Sequence, residues 1–153
     1  MSLAYNVIRA LDGRTIATAE SCTGGGIGAV LTAIPGSSSV YKGGVVSYTN
    51  EVKMRLLNVS TDALDRFGAV SAEVAEAMAL GVRNTLRTDV AVSVTGLAGP
   101  GGDEFGHPVG TVYIGFNCNR KSLVKQYRFE GSREEVRTQT IQAALELILE
   151  NIE

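Results

Sequence analysis

The sequence has no tryptophan, one histidine, two cysteines, three prolines and no excess of basic residues. Each shortage removes a class of chemistry. His107 alone cannot build a histidine-rich metal site, and Cys22 and Cys118 form no CxxC pair, so no metal site is expected. Any Ser-His-Asp mechanism would have to run through His107. Fourteen Lys and Arg against sixteen Asp and Glu give a net charge of −2, which argues against a nucleic-acid partner. No apolar run reaches the roughly 18–20 residues of a membrane span, so no membrane partner is expected. The N-terminus shows no basic segment leading into an apolar one, which reads as no secretion signal. Reduced thiols and a cytoplasmic location follow as expectations.

The chain is rich in glycine and in apolar residues. A hydrophobic content of 44% with 20% charged residues is that of a globular chain with a real core. Its 153 residues match one ordinary domain, and 1–153 is read as a single unit. Helical spacing covers 3–11, with Leu3, Val7, Ile8 and Leu11 on one face, and Asp12-Gly13 closes it. Strands are expected at 14–19, at 41–48 with a Gly43-Gly44 irregularity, at 89–95, and as a hairpin of 109–117 with 122–129. Helices are expected at 24–33, at 51–57 behind a Thr49 or Asn50 cap, at 72–86 behind Ser71, and after Ser132. Residues 35–39 and the glycine-rich 96–107 read as loops, and Asn58 and Gly68 as stops. This order predicts a three-layer α/β/α domain with a mixed sheet.

One stretch concentrates the chemistry: Thr18-Ala19-Glu20-Ser21-Cys22-Thr23-Gly24-Gly25-Gly26. It joins a strand to a helix, where glycines let a backbone approach a ligand and helix N–H groups face an anion. Ser21 is the candidate nucleophile. Lys53, on the first turn of the helix after the second strand, is its candidate base if burial keeps the amine neutral. Cys22 is the rival nucleophile, although a small buried thiol packs more often than it reacts. Arg133 and Arg137 lie four apart on the last helix and form a candidate anion clamp.

Two other motifs carry less. Ser39-Val40-Tyr41-Lys42 has the S-x-x-K spacing of penicillin-recognising enzymes, but it runs into a strand instead of lying on one helix face. Gly101-Gly102-Asp103-Glu104-Phe105 spells the GGDEF signature of diguanylate cyclases within a loop that is glycine-rich throughout. Neither has the surrounding partners its chemistry needs.

Taken together, several blocks closely resemble the C-terminal domain of the competence/damage-inducible protein CinA. They are 18–25, Pro35-Gly36-Ser37-Ser38, 44–50 with Lys53, Gly68-Ala69-Val70-Ser71, 95–100 and 108–112, in family order over nearly the whole chain. The resemblance implies an α/β/α fold like the anticodon-binding domains. It also implies a serine/lysine amidohydrolase, since stand-alone members are nicotinamide mononucleotide deamidases. These convert nicotinamide mononucleotide and water to nicotinate mononucleotide and ammonia. Ser21 then matches the nucleophile, Lys53 the base, and Tyr48, Thr95 and Arg133 or Arg137 supporting positions. Full-length relatives carry an N-terminal domain like molybdopterin-binding proteins, and the resemblance covers none of it.

On this reading the partner is a small phosphorylated nucleotide, and the chemistry requires no cofactor. The substrate is expected against Thr23, Gly24, Gly25 and Gly96, with one arginine on its phosphate. Tyr48 or Thr95 would relay protons or hold the lysine. A homodimer is the assembly considered, without a residue-level argument for it. Two alternatives stay open: a non-enzymatic interaction module of competence or DNA-damage response, and an amidase for another phosphorylated ribonucleoside.

Overall fold

The computed structural model describes residues 2–152, so Met1 and Glu153, the ends of the expected 1–153 unit, lie outside the described residues. The chain runs α1 (Leu3–Ala10), β1 (Ile16–Glu20), α2 (Gly26–Thr32), a 3-10 turn (Ser37–Ser39), β2 (Tyr41–Val46), α3 (Asn50–Leu57), α4 (Thr61–Phe67), α5 (Ala72–Leu86), β3 (Val90–Gly96), β4 (Thr111–Cys118), β5 (Ser122–Arg128) and α6 (Arg133–Asn151). The strands form one sheet in the order β2-β1-β3-β4-β5. β1 pairs in parallel with β2 and with β3, and β4 and β5 add antiparallel strands. The expected three-layer mixed α/β/α architecture is the one observed.

Strand alternation explains the layers. Ile16, Val92, Ile114 and Phe116 face α1, α2 and α6, meeting Val7, Leu11, Ile27, Leu31 and Ile148. Ala17, Ala19 and Ala91 face the other way, onto Leu57, Leu64, Val74, Met78 and Val82 of α3, α4 and α5. Alanines on that face let α5 lie close to the sheet. Gly81 plays the same part between helices, because a Cβ there would run into the Leu57 carbonyl. Gly81→Ala sets a helix-propensity gain of about 1 kcal/mol against overpacking of about 1–3 kcal/mol. The obstacle is backbone that cannot rotate away, so overpacking wins. A lower urea midpoint is expected, and an unchanged midpoint would contradict the close α3–α5 contact.

Register places the site. Glu20 is opposite Val46 on one side and Val94 on the other. The segments beyond these residues therefore emerge together at one sheet edge. From β1 the chain goes to β2 on one side and reaches β3 on the other, so the strand order reverses between β1 and β3. Ligands of open α/β sheets bind outside such a reversal.

The strand irregularity expected at Gly43-Gly44 lies one residue earlier. Ile16 pairs with Tyr41 but Ala17 pairs with Gly43, leaving Lys42 as an extra residue. β2 stops at Val46, and 47–49 turn toward α3, whose N-cap is Thr49 with its side chain accepting from Val52 N–H. α4 is an element the sequence reading takes only as a gap between stops. Ser60 caps it, Asp62 sits in its first turn, and Gly68 ends it. Seven residues with Leu64 as the one fully buried side chain are too short to show a helical period.

Candidate active site

Ser21 is the first residue beyond β1, and its N–H donates to Val94 O at 3.1 Å, fixing it to β3. Lys53 reaches it from α3 and is almost completely buried, at 1% exposure. Lys53 Nζ lies 3.1 Å from Ser21 Oγ and donates to Ser47 O at 2.8 Å, with Tyr48 O at 3.4 Å. Burial lowers the lysine pKa from 10.5 to about 8, with Cys22 pulling weakly the other way. The nitrogen beside the serine is thus poised to lose its proton near neutrality.

A cavity of about 540 Å³ opens over this pair. Its wall includes Ser21, Lys53, Tyr48, Thr95, Gly96 and Arg133, and the loop 97–105 covers one side. The size falls within that of small-molecule sites. Arg133 Nη1 donates to Gly99 O at 2.7 Å and Nη2 to the Tyr48 hydroxyl at 3.1 Å, so the arginine ties this loop to the turn between β2 and α3. Tyr48 holds the lysine by its carbonyl, not its hydroxyl. Thr95 donates its hydroxyl to Ala69 O at 2.8 Å. Neither hydroxyl touches Lys53, so the expected lysine contact through them is not how the amine is held.

The glycine turn departs from expectation. Thr23, Gly24 and Gly25 do not line the cavity. The N–H groups at the start of α2 are not open to a ligand, because the buried carboxylate of Glu20 occupies them. It accepts from Ile27 N at 2.8 Å, Gly28 N at 2.9 Å and Thr23 Oγ1 at 2.6 Å. An internal anion therefore takes the helix N-terminus that the sequence offered to a substrate. Gly24 and Gly25 have φ of 60° and 102°, so their glycine character serves the turn itself. Glu20 went unread as a site residue; its signal is the acid-x-x-Thr spacing just ahead of a helix start.

The two arginines part company. Arg133 belongs to the cavity wall, whereas Arg137 sits behind the turn, donating to Cys22 O and Thr23 O at 3.1 Å each. Cys22 borders the cavity but is buried, and desolvation pushes its thiol up to about 11 despite nearby Arg137 and Lys53. It stays a neutral thiol at ordinary pH.

The lesser motifs resolve simply. Ser39 lies in the 3-10 turn with its hydroxyl on Gly36 O, and Lys42 is the bulged residue of β2, so they share no helix face. The 101–105 segment is a wall of the cavity. Asp103 folds it by accepting from Phe105 N–H, His107 N–H and His107 Nδ1, the last at 2.7 Å. Burial works against the Asp103 carboxylate, but these bonds and the histidine hold its pKa below the usual range. His107 is engaged there and is not in the cavity wall.

Residues 2–152 match the CinA C-terminal domain. The chain belongs to this family. This CinA domain is 53% identical over 135 residues to a CinA-like protein of Thermosynechococcus vestitus, covering 86% of the chain and 32% of that relative. It is 45% identical over 139 residues to a putative competence-damage inducible protein of Clostridium botulinum, covering 91% and 34%. The chain thus spans about a third of the length of these curated relatives. Among solved structures, the competence damage-inducible protein A of Klebsiella pneumoniae superposes with a TM-score of 0.95 at 36% identity, covering 97% of this chain and 94% of that one. The competence/damage inducible protein CihA of Agrobacterium tumefaciens gives 0.93 at 41%, covering 97% and 92%. In the CinA domain, no described helix is long and apolar enough to cross a membrane. Among its described residues, no group of three or more His, Cys, Asp or Glu is placed to hold a metal ion.

Proposed function

We propose that the cavity is a serine/lysine amidase site that deamidates nicotinamide mononucleotide. The observation that carries this reading is the environment of Lys53 Nζ. Ser47 O and Tyr48 O accept only, so they take two of its hydrogens. The remaining direction of the tetrahedral nitrogen faces Ser21 Oγ. In the neutral amine that direction is a lone pair, aimed at the hydroxyl proton. Burial, which lowers the lysine pKa to about 8, supplies that neutral form.

The reaction then runs in two halves. Lys53 takes the hydroxyl proton as Ser21 Oγ attacks the carboxamide carbon. The tetrahedral intermediate collapses, Lys53 returns the proton to nitrogen, and ammonia leaves with a nicotinoyl ester on Ser21. Water, deprotonated by the same lysine, cleaves the ester and releases nicotinate mononucleotide and free serine. Arg133, in the cavity wall, serves the 5′-phosphate as its charge partner. Tyr48 and Thr95 shape the cavity around the pair, and Gly96 contributes backbone wall.

The test is ammonia release from nicotinamide mononucleotide by the purified protein. The base works only when neutral, so kcat/KM should rise with pH and level off above an inflection near 8. Absence of ammonia release at pH 9 would sink the substrate assignment. A rate that falls through that inflection would sink the lysine as base.

A further inference from the structure

The turn that carries Ser21 treats its carbonyls and its N–H groups differently. Three successive carbonyls have donors: Ser21 O receives Gly24 N–H at 3.1 Å, Cys22 O receives Arg137 Nε at 3.1 Å, and Thr23 O receives Arg137 Nη2 at 3.1 Å and Gly26 N–H at 3.0 Å. Ser21 N–H is taken by Val94 O and Gly24 N–H by Ser21 O. Among the described residues, the N–H of Cys22 meets no oxygen acceptor, only its own thiol sulfur. It directly follows the nucleophile, and Cys22 borders the cavity, whereas the fully buried Thr23 does not.

A trans peptide keeps its C=O and N–H antiparallel. Anchoring Ser21 O on Gly24 N–H therefore turns Cys22 N–H the opposite way, and anchoring Cys22 O on Arg137 holds the residue there from behind. The guanidinium is permanently charged, and its planar fork spans two neighbouring carbonyls as a single ammonium cannot. From the far side, Glu20 holds the Thr23 hydroxyl and the first turn of α2.

We infer that Arg137 is a positioning residue: from behind the turn it fixes the Cys22 carbonyl, and so holds Cys22 N–H at the cavity border as the oxyanion donor for acyl transfer to Ser21. The inference rests on the amidase reading of Ser21 and replaces a phosphate-clamp role for Arg137. In the reaction the oxygen of the attacked carbonyl gains the electron pair of its C=O bond as the Ser21 Oγ–C bond forms. That charge sits against the Cys22 N–H until the C=O bond re-forms and the leaving group departs. Donors so placed act in the transition state and barely in the ground state.

The test uses p-nitrophenyl acetate, an activated ester with no phosphate or nucleotide, and follows acetylation of Ser21 by peptide mass spectrometry with Ser21→Ala as blank. Arg137→Met is expected to slow acetylation by about 10²–10³-fold, the usual loss of an oxyanion donor. With nicotinamide mononucleotide as substrate, the loss should fall on kcat with KM little changed. The pH inflection of acetylation should stay where it is, because the Ser21–Lys53 pair is untouched. Arg137→Lys, keeping the charge without the fork, should fall between the two, and it replaces the Met variant should that one not fold. Acetylation at the original rate in either variant would overturn the inference. So would slow acetylation with a displaced pH inflection, since that marks collapse of the turn. Wild-type protein that is acetylated by the ester but inert toward nicotinamide mononucleotide would remove the substrate assignment and leave this inference standing.

Discussion

Lys53→Met is expected to lower amide hydrolysis by roughly 10³–10⁴-fold, the share of a well-placed general base, without lowering thermal stability at neutral pH. Methionine has nearly the same length and needs no solvation. Its cost is the lost donor to Ser47 O, about 1–3 kcal/mol for a buried carbonyl left unpaired. Opposing this is relief of a buried ammonium, a replacement that is often neutral or stabilising. The pH dependence separates the terms. The unfolded lysine binds its proton below 10.5 and the folded one only below about 8. Between these values the unfolded state holds more protons, so the original protein gains stability as pH rises through the window. The methionine variant lacks that gain. Its advantage in melting temperature should therefore be largest below pH 8 and shrink toward pH 10.5. A variant markedly less stable at pH 7 would show that the lysine is held for the fold and not for chemistry.

Ser21→Ala is expected to cost about 10⁴–10⁶-fold in turnover, as removal of a nucleophile does when the rest of the site survives. The side chain is small and its hydroxyl contact is to Lys53, so the melting temperature should move little. Cys22→Ser should keep activity within the same order of magnitude. The thiol, raised to about 11, is protonated wherever the enzyme would work, so little thiolate exists to attack. Mass spectrometry of the trapped acyl-enzyme gives the direct check. An adduct on Cys22, or persistence of turnover in Ser21→Ala, would reverse the assignment.

The pairing of Ser21 with Lys53 was legible because both follow strand ends that parallel pairing brings to one edge. Periodicity and caps gave most elements, since Ser71, Thr49 and Ser132 each accept from the N–H three residues on. α4 was not legible, because a helix of two turns carries too few buried positions to show a period. The role of Gly24 and Gly25 was misread for a different reason. Glycine after a strand signals either close approach of a ligand or a backbone with positive φ, and sequence does not say which; here φ of 60° and 102° makes it the turn itself. The two arginines share a helix face, and one helical turn of displacement decides that Arg133 meets the cavity while Arg137 meets the turn. Such a choice is made by packing and leaves no local trace.

The carboxylate of Glu20 has a consequence for how this site can change over evolutionary time. Where a helix N-terminus waits for a substrate phosphate, the catalytic turn and the specificity of the enzyme are one object, and altering either alters both. Here the chain brings its own counter-ion, so the turn that carries Ser21 is complete without a ligand. On the proposed amidase reading, recognition falls to the loop 97–105 and Arg133, on separate elements. New side chains can be tried there while Ser21 keeps its setting.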